Sequence, residues 1–241
     1  MYVNYKNMRN SERLIWGILL TTIVFLISTF VGARLNLNIA FFNASFGTDM
    51  LMLILSIGLI YGLKKYVRYR IALPRFRKML KPMLFGFLAA VIINSLLSGI
   101  GNIFKIESES HFVFKVMSPL QIFLYIFILA SIAEEVLFRG FLQNILKPLQ
   151  DKGIKIFKRH ISLPVIIAAL AFSLGHLILI NSGAGAYFVF TTLVFTFVLG
   201  LIAGYYQEKH NNNAYAIIVH MSGNFMGVIA SLIVSFGNLS F

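Results

Sequence analysis

The sequence predicts an all-α fold, a polytopic transmembrane helical bundle of about seven spans. Three observations predict it: apolar runs of membrane-spanning length, a scarcity of charge, and basic residues confined to alternate loops. Of 241 residues, 59% are hydrophobic and 12% charged, against roughly 25% charged in an ordinary soluble domain. So little charge cannot cover a water-facing surface, and the 24 phenylalanines need a lipid environment instead.

A bilayer core of about 30 Å takes roughly 20 apolar residues in a helix. The first run, Leu14–Val31, meets this length and has no small-residue cleavage site after it, so it reads as a retained span. The second, Phe46–Leu63, is the weakest, because Gly47 and Asp49 shorten its apolar part. Met83–Ile100 is uninterrupted. Pro119–Leu146 is longer than a bilayer requires and carries charge inside it. Leu163–Ile180 and Tyr187–Tyr206 follow, and Ala214–Phe236 closes the series. A break near Gly223 would split the last run and make eight spans. No repeat, low-complexity tract or linker divides the chain, so residues 1–241 read as one integral membrane domain.

Charge sets the orientation. Seventeen of the 21 Lys and Arg residues fall before the first run or in the loops after the second, fourth and sixth, from Lys6, Arg9 and Arg13 through Lys64–Lys81 and Lys147–Arg159 to Lys209. The other loops hold Arg34, Lys105 and Lys115. Basic loops stay in the cytoplasm, which places the N-terminus inside, the C-terminus outside, and the chain in the cell membrane. The net charge of +13 therefore marks topology rather than nucleic-acid binding; the block from Lys64 to Lys81 also suits anionic lipid head groups. Cysteine is absent, which excludes disulfides, thiolate metal sites and a cysteine nucleophile.

Ionisable groups inside a span cost at least about 2.5–3.5 kcal/mol each and are functional suspects by default. Strongly polar residues concentrate in three places: Glu134, Glu135 and Arg139 in the fourth run, His176 in the fifth, His220 and Asn224 in the last. Glu135 and Arg139 are four apart with the glutamate first, the favourable order for a helical ion pair. Glu134 lies 100° around the helix and is left unpaired, and desolvation would raise its pKa toward that of a general base. His220 and Asn224, also four apart, can address one spot, and Gly223 and Gly227 let another helix come close. A carboxylate, two imidazoles and an amide on one cavity suit hydrolysis. The same groups could serve as interhelical hydrogen bonds, and Glu134 as a proton-path carboxylate of a transporter.

The order Glu134-Glu135-x-x-x-Arg139, Phe172-x-x-x-His176, His220-x-x-x-Asn224 resembles the CPBP family, the CAAX protease and bacteriocin-processing group also called Abi, over roughly Pro119 to Phe236. That resemblance implies an intramembrane endopeptidase in which Glu134 and His176 activate the hydrolytic water, His220 and Asn224 stabilise the oxyanion, and Glu135 with Arg139 supports the site. It implies a peptide or membrane-protein substrate, in peptide maturation or bacteriocin-related processing. No cofactor is expected. Zn²⁺ held by Glu134, His176 and His220 is the alternative, although no HExxH stands in the sequence. The competing functions are a non-catalytic membrane scaffold or immunity protein and a transporter.

Overall fold

A computed structural model describes residues 8–35, 39, 41–106 and 116–237. Lys6 and Lys115, used above for orientation, lie outside the described residues. Among those described, seven helices are long and apolar enough to cross a membrane. They are α1 (Asn10–Gly32), α2 (Ala44–Gly62), α3 (Phe76–Ile103), α4 (Pro119–Gln143), α5 (Leu163–Ser182), α6 (Ala186–His210) and α7 (Ala214–Gly237).

Local chemistry sets where these helices start. Asn43 caps α2, its side chain accepting from Phe46 N at 3.3 Å. Ser118 and Gln121 form a capping box at α4 with Pro119 in the first position, and Ser162 caps α5 ahead of Pro164. These are the residue types that satisfy the free N–H groups of a first turn.

Two expectations about span boundaries change. Gly47 and Asp49 do not shorten the second span, because α2 begins at Ala44 and carries both. Gly47 sits where the backbone of Gly32 passes too close for any side chain, so it joins α1 to α2. Likewise α7 runs unbroken through Gly223, so the last run is one span and the described residues hold seven. A single glycine costs a helix only about 1 kcal/mol, and Gly223 repays it by making room for Leu199 of α6.

The fourth helix is the core. Residues 135–146 are buried without exception, and α4 touches α1, α2, α5, α6 and α7. Phe138, Phe141, Leu142 and Ile145 pack with Val24, Met52, Ile60 and Phe172. Gly17 lets α1 settle on Leu142 and Ile145, and Gly140 leaves space for Tyr69. The sequence gives no warning of one feature. Helix α4 is π-helical over Ile122–Ala130 and Val136–Gln143, with an α-helical turn, Ser131–Glu135, between them. Wide π turns inside helices are frequent at functional sites, and this one brackets the two glutamates.

A second unexpected element lies in the basic loop after α4. Strands β1 (Gly153–Ile156) and β2 (Arg159–Ser162) form an antiparallel hairpin with Gly153 opposite Ser162. Since Ser162 is also the cap of α5, the hairpin fixes where the helix carrying His176 begins.

Candidate active site

Three helices bring the expected residues together. On α4, Arg139 Nη1 donates to Glu135 Oε1 at 2.8 Å, with the two side chains 0% and 1% exposed. The i, i+4 pair anticipated from spacing is therefore formed, in full burial. Its guanidinium also lies over the Phe172 ring, 4.6 Å from the centroid. A charge stripped of water on both sides needs such partners, and removing either member of a buried pair typically costs about 3–5 kcal/mol.

From α7, His220 reaches both glutamates. Its Nδ1–H donates to Glu135 Oε1 at 2.8 Å, and its Nε2 stands 3.6 Å from Glu134 Oε2. This corrects the expectation that Glu134 is unpaired. Neighbouring residues of a helix point 100° apart, but an imidazole carries a nitrogen at either end and spans the gap between their carboxylates. Glu134 also keeps 19% of its side chain exposed, whereas Glu135 is sealed. The two glutamates thus differ in access, where the spacing suggests a difference in pairing.

His176 occupies the end of the α-helical part of α5, where the chain tightens into a 3₁₀ turn. Its Nδ1–H donates to the Phe172 carbonyl at 3.0 Å. A carbonyl only accepts, so the neutral ring keeps its lone pair on Nε2, the nitrogen left to act as base. Phe172 organises the whole cluster: His176 and His220 both meet its ring edge-on, at 5.0 and 5.3 Å. Electrostatic reach extends from His176 to Glu134 and to His220, yet among the described residues no hydrogen bond joins His176 to Glu134.

Asn224 lies one turn farther along α7 and is engaged differently. Its amide donates to Ile126 O at 3.3 Å and to Ser131 Oγ at 3.2 Å, both on α4. His220 and Asn224 thus share a face, as their spacing indicated, but address different turns of α4. As for a metal, no three His, Asp or Glu side chains among the described residues converge to hold one. Nδ1 of His220 and Nδ1 of His176 donate to Glu135 and to the Phe172 carbonyl, so Nε2 is the nitrogen each ring keeps toward any ligand.

Sequence reasoning also missed buried polar groups in the spans. Asp49 of α2 is 6% exposed and within electrostatic reach of Glu134. Gln143 and Gln207 are buried and bonded to each other at 2.8 Å. The signal was present, because Gln143 continues the four-residue spacing of Glu135 and Arg139.

Comparison with known proteins fits this geometry. The family model described as type II CAAX prenyl endopeptidase Rce1-like matches residues 115–226. Over that stretch, 112 of the 241 residues, the chain is similar to this family. The match takes in the glutamates, both histidines and Asn224, and leaves α1 to α3 outside. That family is one of peptide hydrolases, and the likeness supports a CAAX-type endopeptidase at family level. No curated protein and no solved structure matches it.

Proposed function

We propose that this chain is a CAAX-type endopeptidase that cuts a peptide or a membrane-protein segment inside the bilayer with a water activated by Glu134 and His176. The supporting observation is the cluster around Phe172, where an accessible carboxylate, a histidine with its Nε2 free and a second histidine bridging both glutamates meet on three helices.

In this mechanism Glu134 and Nε2 of His176 hold the water and take its proton as its oxygen attacks the scissile carbonyl. The proton then passes to the leaving amine. His220 is held by Glu135, itself held by Arg139, so that its Nε2 faces the reacting centre. Donors fixed in a dry site stabilise the developing oxyanion; His220 supplies one when Nε2 as well as Nδ1 carries a proton, and Asn224 supplies another on exchanging its bonds to Ile126 and Ser131. The site works without a metal. Glu135 and Arg139 position and do not react.

The substrate class is a processed peptide, in peptide maturation or bacteriocin-related processing. The protein sits in the cell membrane with its N-terminus in the cytoplasm and its C-terminus outside. Substrate and lipid are its partners, and nucleic acid is not. The test is the intracellular peptide profile, by mass spectrometry, of cells carrying wild type, Glu134→Ala or a deletion. A precursor that accumulates equally in the last two establishes the cleavage and names its substrate. A Glu134→Ala profile equal to wild type, with a phenotype for the deletion alone, refutes it and turns the site into a scaffold.

A further inference from the structure

Hydrolysis consumes one water for every bond cut, and behind the accessible Glu134 the pair Glu135 and Arg139 is sealed from solvent. A row of polar side chains leads away from it along α4 at four-residue intervals: Glu135, Arg139, Gln143 and, just past the helix, Lys147. Helix α6 runs beside this row. Gln143 Nε2 donates to Gln207 Oε1 at 2.8 Å and to Gly204 O at 3.0 Å, and Lys147 Nζ donates to Asn211 Oδ1 at 2.9 Å.

Atoms along the row lack partners. Glu135 Oε2, Arg139 Nε and Nη2, and Gln143 Oε1 are buried, and no protein atom among the described residues bonds to them. Their residues are 1%, 0% and 2% exposed. Buried polar atoms in native proteins are almost always paired, with ordered water where protein fails to supply a partner. Opposite them α6 carries glycines at the matching spacing. A Cβ on Gly200 would lie 2.7 Å from Arg139 Nη2, and one on Gly204 would lie 2.8 Å from Gln143 Oε1. At both places α6 presents a glycine and lies close, so no α6 side chain partners Arg139 Nη2 or Gln143 Oε1. At the far end, Gln143, Asn144, Lys147, Gln207, Glu208 and Asn211 line a small cavity of about 10 Å³, about what one water needs.

We infer that the seam between α4 and α6 is a file of water sites that carries water from the basic end of the bundle to the catalytic cluster. The ligand is water itself, held in turn by Lys147 with Asn211, by Gln143 Oε1, by Arg139 Nε and Nη2, and by Glu135 Oε2. Water reaches Glu134 by this path independently of the opening that admits substrate. The delivery role rests on the peptidase reading; the presence of water does not.

Radiolytic hydroxyl-radical footprinting of the whole protein in H₂¹⁸O tests it, because radicals born from internal water mark the side chains beside them. Val165, which borders Gly204, reports on the middle of the file, and Phe172, over Arg139, reports on its inner end. Val136 and Phe141 are equally buried controls on the apolar side of α4. The expected result is several-fold more ¹⁸O label on Val165 than on Val136, and on Phe172 than on Phe141, since only the first of each pair borders the file. In Gln143→Leu, compared at equal folded yield, label at Phe172 should fall several-fold. Equal label on reporters and controls in wild type overturns the inference, with no need of the variant. Undiminished label at Phe172 in a folded Gln143→Leu protein also overturns it, since that water then enters by another way. Labelling is read without turnover, so a failure of the peptidase reading shows separately, as absent cleavage in a protein whose file is wet.

Discussion

Helices α3 and α4 have nearly the same mean hydropathy, 2.1 and 1.9, yet 17% of the spanning stretch of α3 is buried against 44% of that of α4. Both carry polar residues. On α3, Asn94, Ser98 and Asn102 recur at four-residue spacing and remain exposed; on α4, Glu135, Arg139 and Gln143 recur at the same spacing and are sealed. The difference is in the neighbours. Helix α3 leans on α6 and α7 along one side, while α4 is surrounded, and only a surrounded helix can hold charge away from lipid with partners fixed around it. Hydropathy identifies a span; enclosure makes a site.

The sharpest way to break this contrast is to remove the reacting groups. Glu134→Ala and His176→Ala should each lower the cleavage rate by about 10²–10⁴-fold, the usual contribution of a positioned acid or base, with normal yield of folded protein in a cleavage assay paired with size-exclusion chromatography. Asn224→Ala should lower kcat by about 10²–10³-fold with little change in KM, as loss of an oxyanion donor does. An unchanged kcat would leave Asn224 as a clamp on Ile126 and Ser131 alone. Glu135→Ala strands the Arg139 charge and should destabilise the fold by about 3–5 kcal/mol, read as a lower melting temperature in detergent. Activity should survive incubation with a strong chelator, and loss of activity restored by Zn²⁺ would refute the metal-free site. The smallest effect belongs to α3, where Ser98→Ala should change stability by no more than about 0.5 kcal/mol and leave cleavage intact.

Much of this contrast was legible in the amino acids. The seven spans follow from apolar length, and the Glu135–Arg139 pair follows from spacing, because i, i+4 geometry on a helix hardly depends on what surrounds it. His220 bridging both glutamates was not legible, since it depends on how α7 faces α4 and on the reach of an imidazole ring. The π turns of α4 were hidden for a related reason: apolar residues such as Ile122–Ala130 suit an α-helix as well, and tertiary packing selects the wider turn. Phe172 stood out in the sequence only as the first residue of the Phe172-x-x-x-His176 motif, with no role of its own. Its place against two histidines and an arginine emerges only when three helices meet. Gln143 and Gln207 could have been flagged as polar groups in apolar runs, but nothing in sequence tells that they face each other.

The central claim is that the two adjacent glutamates divide the labour, Glu134 in chemistry and Glu135 in support. The most direct measurement compares Glu134→Gln and Glu135→Gln, purified and reconstituted into vesicles, for cleavage of the precursor found in the peptide profile and for melting temperature. The account predicts that Glu134→Gln melts with wild type and does not cut, while Glu135→Gln melts well below it and, where folded, retains measurable cleavage. A Glu134→Gln protein that cuts at the wild-type rate, or a Glu135→Gln protein that is fully stable and fully inactive, would contradict it.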